Sequence, residues 1–186
     1  MRYLLRVLPS GSDPRTMERA VRGIASSIGG KAVNAKVTSY GALEMDVFLG
    51  SRADFDFFLA AIEPLAKLEF YKDLQEPPVF LPTTQAVTEA VSLFNGERFW
   101  EAHEVLESLW RVAEGEEKRV LQGLILVCAA FVHLQKGEMR VALGVAKRSL
   151  PLLVWESGAY HGISIGPLRG SIEEMVGDGN LSLLRL

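Results

Sequence analysis

The chain has 186 residues, 48% of them hydrophobic and 23% charged, which is the balance of an ordinary globular protein and excludes disordered, collagen-like and coiled-coil classes. Twenty basic residues against 23 acidic ones leave a net charge of −3, so no global field recruits nucleic acid or an anionic membrane. The one cysteine, Cys128, sits inside an apolar run, which excludes disulfides and cysteine-based metal sites and points to a reducing cytosol.

In chain order, the opening MRYLLRVLPSG has no small-residue cleavage site behind it, so no signal peptide is expected. Tyr3 to Leu8 reads as a short strand. Asp13 as N-cap, with Pro14 at the first helical position, opens a helix that buries Met17, Val21, Ile24 and Ile28 and closes at Gly29-Gly30. Val33, Ala35 and Val37 then fall on one strand face, Tyr40-Gly41 turns the chain, and Leu43 to Leu49 alternates with Glu44 and Asp46. The outer face of this hairpin, Asn34, Lys36, Thr38, Glu44, Asp46 and Phe48, reads as wet. It lacks the paired aromatics of an RNA-binding sheet, and its mixed charge suits contact with protein or plain solvation. Ser51 with Asp54 resembles a capping box for a second helix through Phe58 and Ile62, and Leu68 to Lys72 supplies the last strand. The order β-α-β-β-α-β is the ferredoxin-like split arrangement, expected over residues 1–74.

Three prolines within Gln75 to Pro82, QEPPVFLP, exclude both helix and central strand, so 75–82 is the expected linker. From 83 to 186 the patterns are helical. A helix capped by Thr83 or Thr84 ends at Phe94, others span about 97–112 and 116–135, and a fourth ends near Pro151. The apolar run Val120 to Leu134 is too short for a membrane, which needs roughly 20 apolar residues, and reads as a buried core helix. Two Gly-Glu turns, at 95–97 and 136–138, lie 41 residues apart and hint at duplicated helical hairpins. Tyr160-His161-Gly162 reads as a surface loop before a last short helix at 168–176. The fold class is therefore α+β with two domains, a ferredoxin-like sandwich followed by an all-α helical bundle.

The informative stretch is FNGERFWEAHEVLESLWR, residues 94–111. At about 100° per residue, Glu107 lies about 40° from His103 and Trp110 about 20° to the other side. Phe99 and Leu106 flank them, so His103 and Glu107 are expected to point into an apolar stripe, with Glu101, Glu104 and Ser108 on the wetter side. A buried carboxylate needs a donor, a metal or a raised pKa. On the next helix Gln122 and His133 are almost three whole turns apart. An antiparallel hairpin pivoting at Glu114-Gly115 brings Gln122 level with Glu107, and His133 level with Asn95 and Phe99.

The motif FNxGxFWEAHEVLExLWR, followed by LQGLI and a His133-x-x-x-Gly137 turn, resembles the family known as domain of unknown function 309, over roughly residues 84–176. The resemblance implies an all-helical bundle of unassigned activity in which Asn95, His103, Glu107, Trp110, Gln122 and His133 matter. It also marks a departure, Glu138 standing where the family usually carries Asn.

Three readings fit these residues. One is a satisfied polar network that fixes helix register. A second is a recognition pocket for a small molecule or peptide, walled by Trp110, Phe99 and Trp100 and oriented by His103, Glu107 and Gln122. The third is metal-assisted or general acid/base catalysis, with His103 and Glu107 sharing a divalent cation. Helix rise puts His133 roughly 10 Å too far away to join them. The sequence therefore supports ligand or protein recognition without a cofactor, a metal-dependent hydrolase using His103 and Glu107 being the alternative.

Overall fold

Short polar side chains start both helices of the N-terminal region. In the computed structural model, which describes residues 1–75, 81–156 and 158–186, the Asp13 carboxylate accepts from the main-chain N–H groups of Arg15 and Thr16 and opens α1 (Pro14–Ser27). Ser51 and Asp54 bond reciprocally as a capping box at the start of α2 (Arg52–Ile62). Between and around them run β1 (Arg2–Pro9), β2 (Lys31–Val37), β3 (Leu43–Phe48) and β4 (Ala66–Asp73). All pairings are antiparallel and the order is β2-β3-β1-β4. Odd-numbered positions of β1 and β3, such as Tyr3, Leu5, Met45 and Val47, bury against Met17, Val21, Phe55 and Phe58, as the period of two dictates. Tyr3 stacks on Phe55 at 3.7 Å.

The opposite sheet face corrects the wet-face expectation. Lys36, Thr38, Glu44 and Asp46 are buried, together with Arg6. The charged ones are paired: Arg6 with Glu44 at 2.8 Å, Lys36 with Glu44, and Asp46 with Arg2 and Asn34 at 2.9 and 2.7 Å, while the Thr38 hydroxyl accepts from Ala42 N–H. Alternation reports which side chains are polar, whereas burial depends on what surrounds the sheet. The simple alternation of β2 also fails. Asn34 takes φ +56 and the register shifts between Val33 and Lys36, so Ala32 rather than Val33 is the buried position.

The chain divides into two compact units, Met1–Val79 and Phe80–Leu186. Of the expected linker 75–82, residues 76–80 lie outside the described residues. The second unit holds α3 (Thr83–Asn95), α4 (Phe99–Trp110), α5 (Gly115–Gln135), α6 (Met139–Ser149) and α7 (Ile165–Gly177). Neither Thr83 nor Thr84 caps α3; Pro82 stands at the N-cap without a side-chain bond, and Thr84 instead meets His161 at 3.1 Å. His161 belongs to a two-stranded hairpin, β5 (Ala159–Tyr160) and β6 (Ile163–Ser164), rather than a bare loop. His161 and Gly162 turn it with positive φ, and Tyr160 is buried with its hydroxyl donated to Glu117.

The α3–α4 and α5–α6 turns share one hydrogen-bond pattern. The N–H of Gly96 reaches the carbonyls of Ser92 and Leu93, Glu97 reaches Phe94, and Arg98 reaches Leu93. Lys136, Gly137 and Glu138 repeat these bonds to Val132, His133 and Leu134. The repeat is therefore offset by 40 residues, not 41, and Glu97 (φ +55) occupies the left-handed position that Gly137 (φ +74) fills in the second hairpin. Phe94, Phe99 and Phe131 interlock where the hairpins meet, with ring centroids 4.8 to 5.2 Å apart. Gly123 lets the segment at Leu152 and Leu153 cross close over α5, since a Cβ there would stand 3.0 to 3.2 Å from them. Cys128 is fully buried, and burial pushes its thiol up to about 12, so it is an inert core residue. Among the described residues no helix is long and apolar enough to cross a membrane.

Candidate functional site

Helical phase decides which motif residues meet. On α4, Phe99, Ala102, Leu106 and Leu109 take the core side. His103 sits at the margin of that stripe with its side chain 18% exposed. The indole of Trp100 lies flat on its imidazole, centroids 5.2 Å apart and planes within 6°. Nδ1 of His103 is buried without a hydrogen-bond partner, and Oε2 of Glu107 is 3.9 Å from it. Burial, the largest influence, lowers the His103 pKa below its ordinary value of 6.5, opposed by the carboxylates of Glu107 and Glu104. The ring is therefore neutral at neutral pH, and the contact with Glu107 is not an ion pair there.

Glu107 itself corrects the expectation of a buried carboxylate. Its side chain is 37% exposed, and Oε1 accepts from Arg111 at 3.0 Å. It follows the buried Leu106 by one position, about 100° round the helix, which carries it off the core stripe. Glu101, read as wet, is instead 2% exposed and held by two bonds of 2.6 Å from Arg98. Trp110 sits at the core margin, where the Lys118 ammonium rests 4.7 Å from its ring.

The remaining motif residues do not converge on His103. Phe99 is core. Gln122 makes no hydrogen bond to Glu107, because it lies about 180° round α5 from Phe131, the residue that packs on Phe99 of α4. His133 lies about 200° round from Phe131 and pairs with Glu138 at 2.5 Å across the α5–α6 turn rather than with Asn95. The Glu138 that departs from the family pattern is thus the partner of His133. Asn95 bonds Leu186 twice, Nδ2 donating to the main-chain oxygen at 3.1 Å and Oδ1 accepting from N–H at 3.0 Å. The side chain that does cross from α5 reaches the α3–α4 turn and gave no sign of it in the helical phase of the motif: Gln135, 8% exposed, whose Nε2 donates to the Glu97 carbonyl at 2.9 Å. Its position four after Phe131 was the available signal.

The described residues contain no group of three His, Cys, Asp or Glu side chains placed to hold a metal ion. His103 and Glu107 are two groups without a third, so the metal-hydrolase alternative finds no support.

A 94-residue stretch of the chain is 30% identical to an uncharacterized protein of Aquifex aeolicus strain VF5; it is 50% of this chain and 28% of that protein, so the chain spans under a third of that relative's length. A crystal structure of a conserved hypothetical protein from Thermus thermophilus is 30% identical, covering 53% of this chain and 99% of that one with a TM-score of 0.43. The family described as Domain of unknown function (DUF309) matches residues 87–145, the span that holds the His103, Glu107 and Trp110 motif. Residues 87–145 of this chain are thus similar to the DUF309 family, as the motif implied.

Proposed function

We propose that the helical unit is a recognition module whose contact surface is the outer face of α4, and that its partner is a protein. The observation that carries this reading is the flat Trp100–His103 stack. A 36% exposed tryptophan stacked on an imidazole, with the Glu104 carboxylate on the indole N–H and that of Glu107 beside the imidazole, is a preorganised aromatic anchor with a polar rim. The indole N–H is fixed by Glu104 at 3.1 Å. A small molecule is the weaker candidate, because the two cavities described, of about 560 and 280 Å³, are lined by other residues. Glu107→Ala and Trp100→Ala test the reading in parallel affinity capture with the wild-type chain. A protein retained by wild type and lost by both variants, at unchanged circular dichroism, supports it. Identical retention by all three chains refutes it.

The first unit is proposed to be ferredoxin-like, supported by its βαββαβ order and the strand order β2-β3-β1-β4. It is proposed to form a domain of its own, joined by the proline-rich segment 75–82 to the helical domain 83–186 of a cytosolic protein that uses no cofactor. Limited proteolysis should cut first within 75–82. A first cut inside residues 97–135 would overturn the division.

A further inference from the structure

Asn95 shows a chemistry that the rest of the motif and the α4 face do not use. One edge of a carboxamide presents a donor beside an acceptor at nearly the spacing of a peptide group, so it pairs with the main-chain N–H and oxygen of a single residue much as a neighbouring β-strand does. Asn95 makes this pair with Leu186. Recognition of this kind reads backbone and is indifferent to side-chain identity.

The segment it holds, residues 181–186, has no helix or strand. Leu181 is 3% exposed, Leu184 and Leu186 rest against the same core, and Ser182, Leu183 and Arg185 face solvent. Among the described residues its main chain bonds to no other main chain; the remaining tie is Leu181 N–H to the Met139 sulfur at 3.5 Å. Beside Leu184 and Leu186 lies the cavity of about 280 Å³, walled by Ile163, Pro167, Leu168 and Ser171 and not filled by them. A strap fixed by one clamp and three leucines, beside an open cavity of mixed polar and apolar lining, is weakly held compared with the helices it covers.

We propose that the Asn95 groove is a peptide-binding site that residues 181–186 occupy as a built-in ligand, displaced by a partner's extended segment carrying leucines at the same spacings. Asn95 reads the backbone, and the seats of Leu181, Leu184 and Leu186 supply selectivity. This surface and the outer α4 face are separate, so either proposal survives failure of the other.

The test uses a chain ending at Asn180 and a fluorescent peptide of sequence GNLSLLRL, residues 179–186. Anisotropy should show saturable binding to the shortened chain, at least tenfold weaker binding to the intact chain, and loss with Asn95→Ala in the shortened chain or with serine at the peptide's three anchoring leucines. Absence of saturable binding, or binding indifferent to Asn95, overturns the proposal, as does a shortened chain that fails to fold, since the strap would then be integral to the core. A second arm uses the intact Asn95→Ala chain. Amides of 184–186 should exchange at least tenfold faster while α3 to α6 keep their protection. Unchanged exchange at 184–186, or opening of the whole bundle, overturns it.

Discussion

Gln135 crosses from the end of α5 to donate to the main-chain carbonyl of Glu97, a residue held in the left-handed region at the α3–α4 turn. One buried amide thus steadies a strained turn in the preceding hairpin. Gln135→Leu removes a neutral hydrogen bond and should destabilise the protein by about 1 kcal/mol. Glu97→Gly relieves the left-handed cost, as Gly137 does at the equivalent position, and should stabilise by up to about 1 kcal/mol. Urea denaturation of both variants measures the two effects. A destabilised Glu97→Gly chain would show that the Glu97 side chain contributes more than its backbone costs.

His103 makes stability pH-dependent with a definite sign. Its folded-state pKa is lowered by burial, so the unfolded chain takes up the proton first as pH falls. The stability that neutral His103 provides is fully present above the unfolded value near 6.5 and is lost as pH drops through 6.5 towards the lower folded pKa. His103→Phe should therefore flatten the stability profile between pH 7 and 5. NMR titration should place the His103 midpoint below that of the unfolded chain; a higher midpoint would mean that Glu107 dominates over burial.

Gly123 is the position where the 152–153 segment approaches α5. Gly123→Ala gains helix propensity but forces a Cβ to within 3.2 Å of Leu152 backbone carbon, so overpacking of about 1–3 kcal/mol should outweigh it. Thermal melting decides the sign. A higher melting temperature would show that the segment can retreat.

His103 and His133 belong to separate local pairs, one with Trp100 and one with Glu138. A double-mutant cycle on His103→Ala and His133→Ala should give a coupling within about 0.5 kcal/mol of zero. Coupling of several kcal/mol would join them in one network.

The capped helix starts at Asp13 and Ser51, the helical run of α5 and the two hairpin turns were legible because each depends on residues within a few positions. Chain-local spacing also placed Glu107 beside His103 on α4, 3.9 Å apart. The sequence could not say which side of α5 faces α4. That azimuth is set by the interlocking of Phe94, Phe99 and Phe131, and it selects Gln135 over Gln122 as the crossing amide. Nor could alternation reveal that Arg6, Lys36, Glu44 and Asp46 are buried, since burial is a property of what surrounds a strand. Local hydrogen bonding and periodicity determined the elements and the short-range pairs of Glu107 with Arg111 and His133 with Glu138; the packing of distant side chains decided the partners of Asn95 and Gln135, because a helix fixes spacing along its axis but not the neighbour each face will meet.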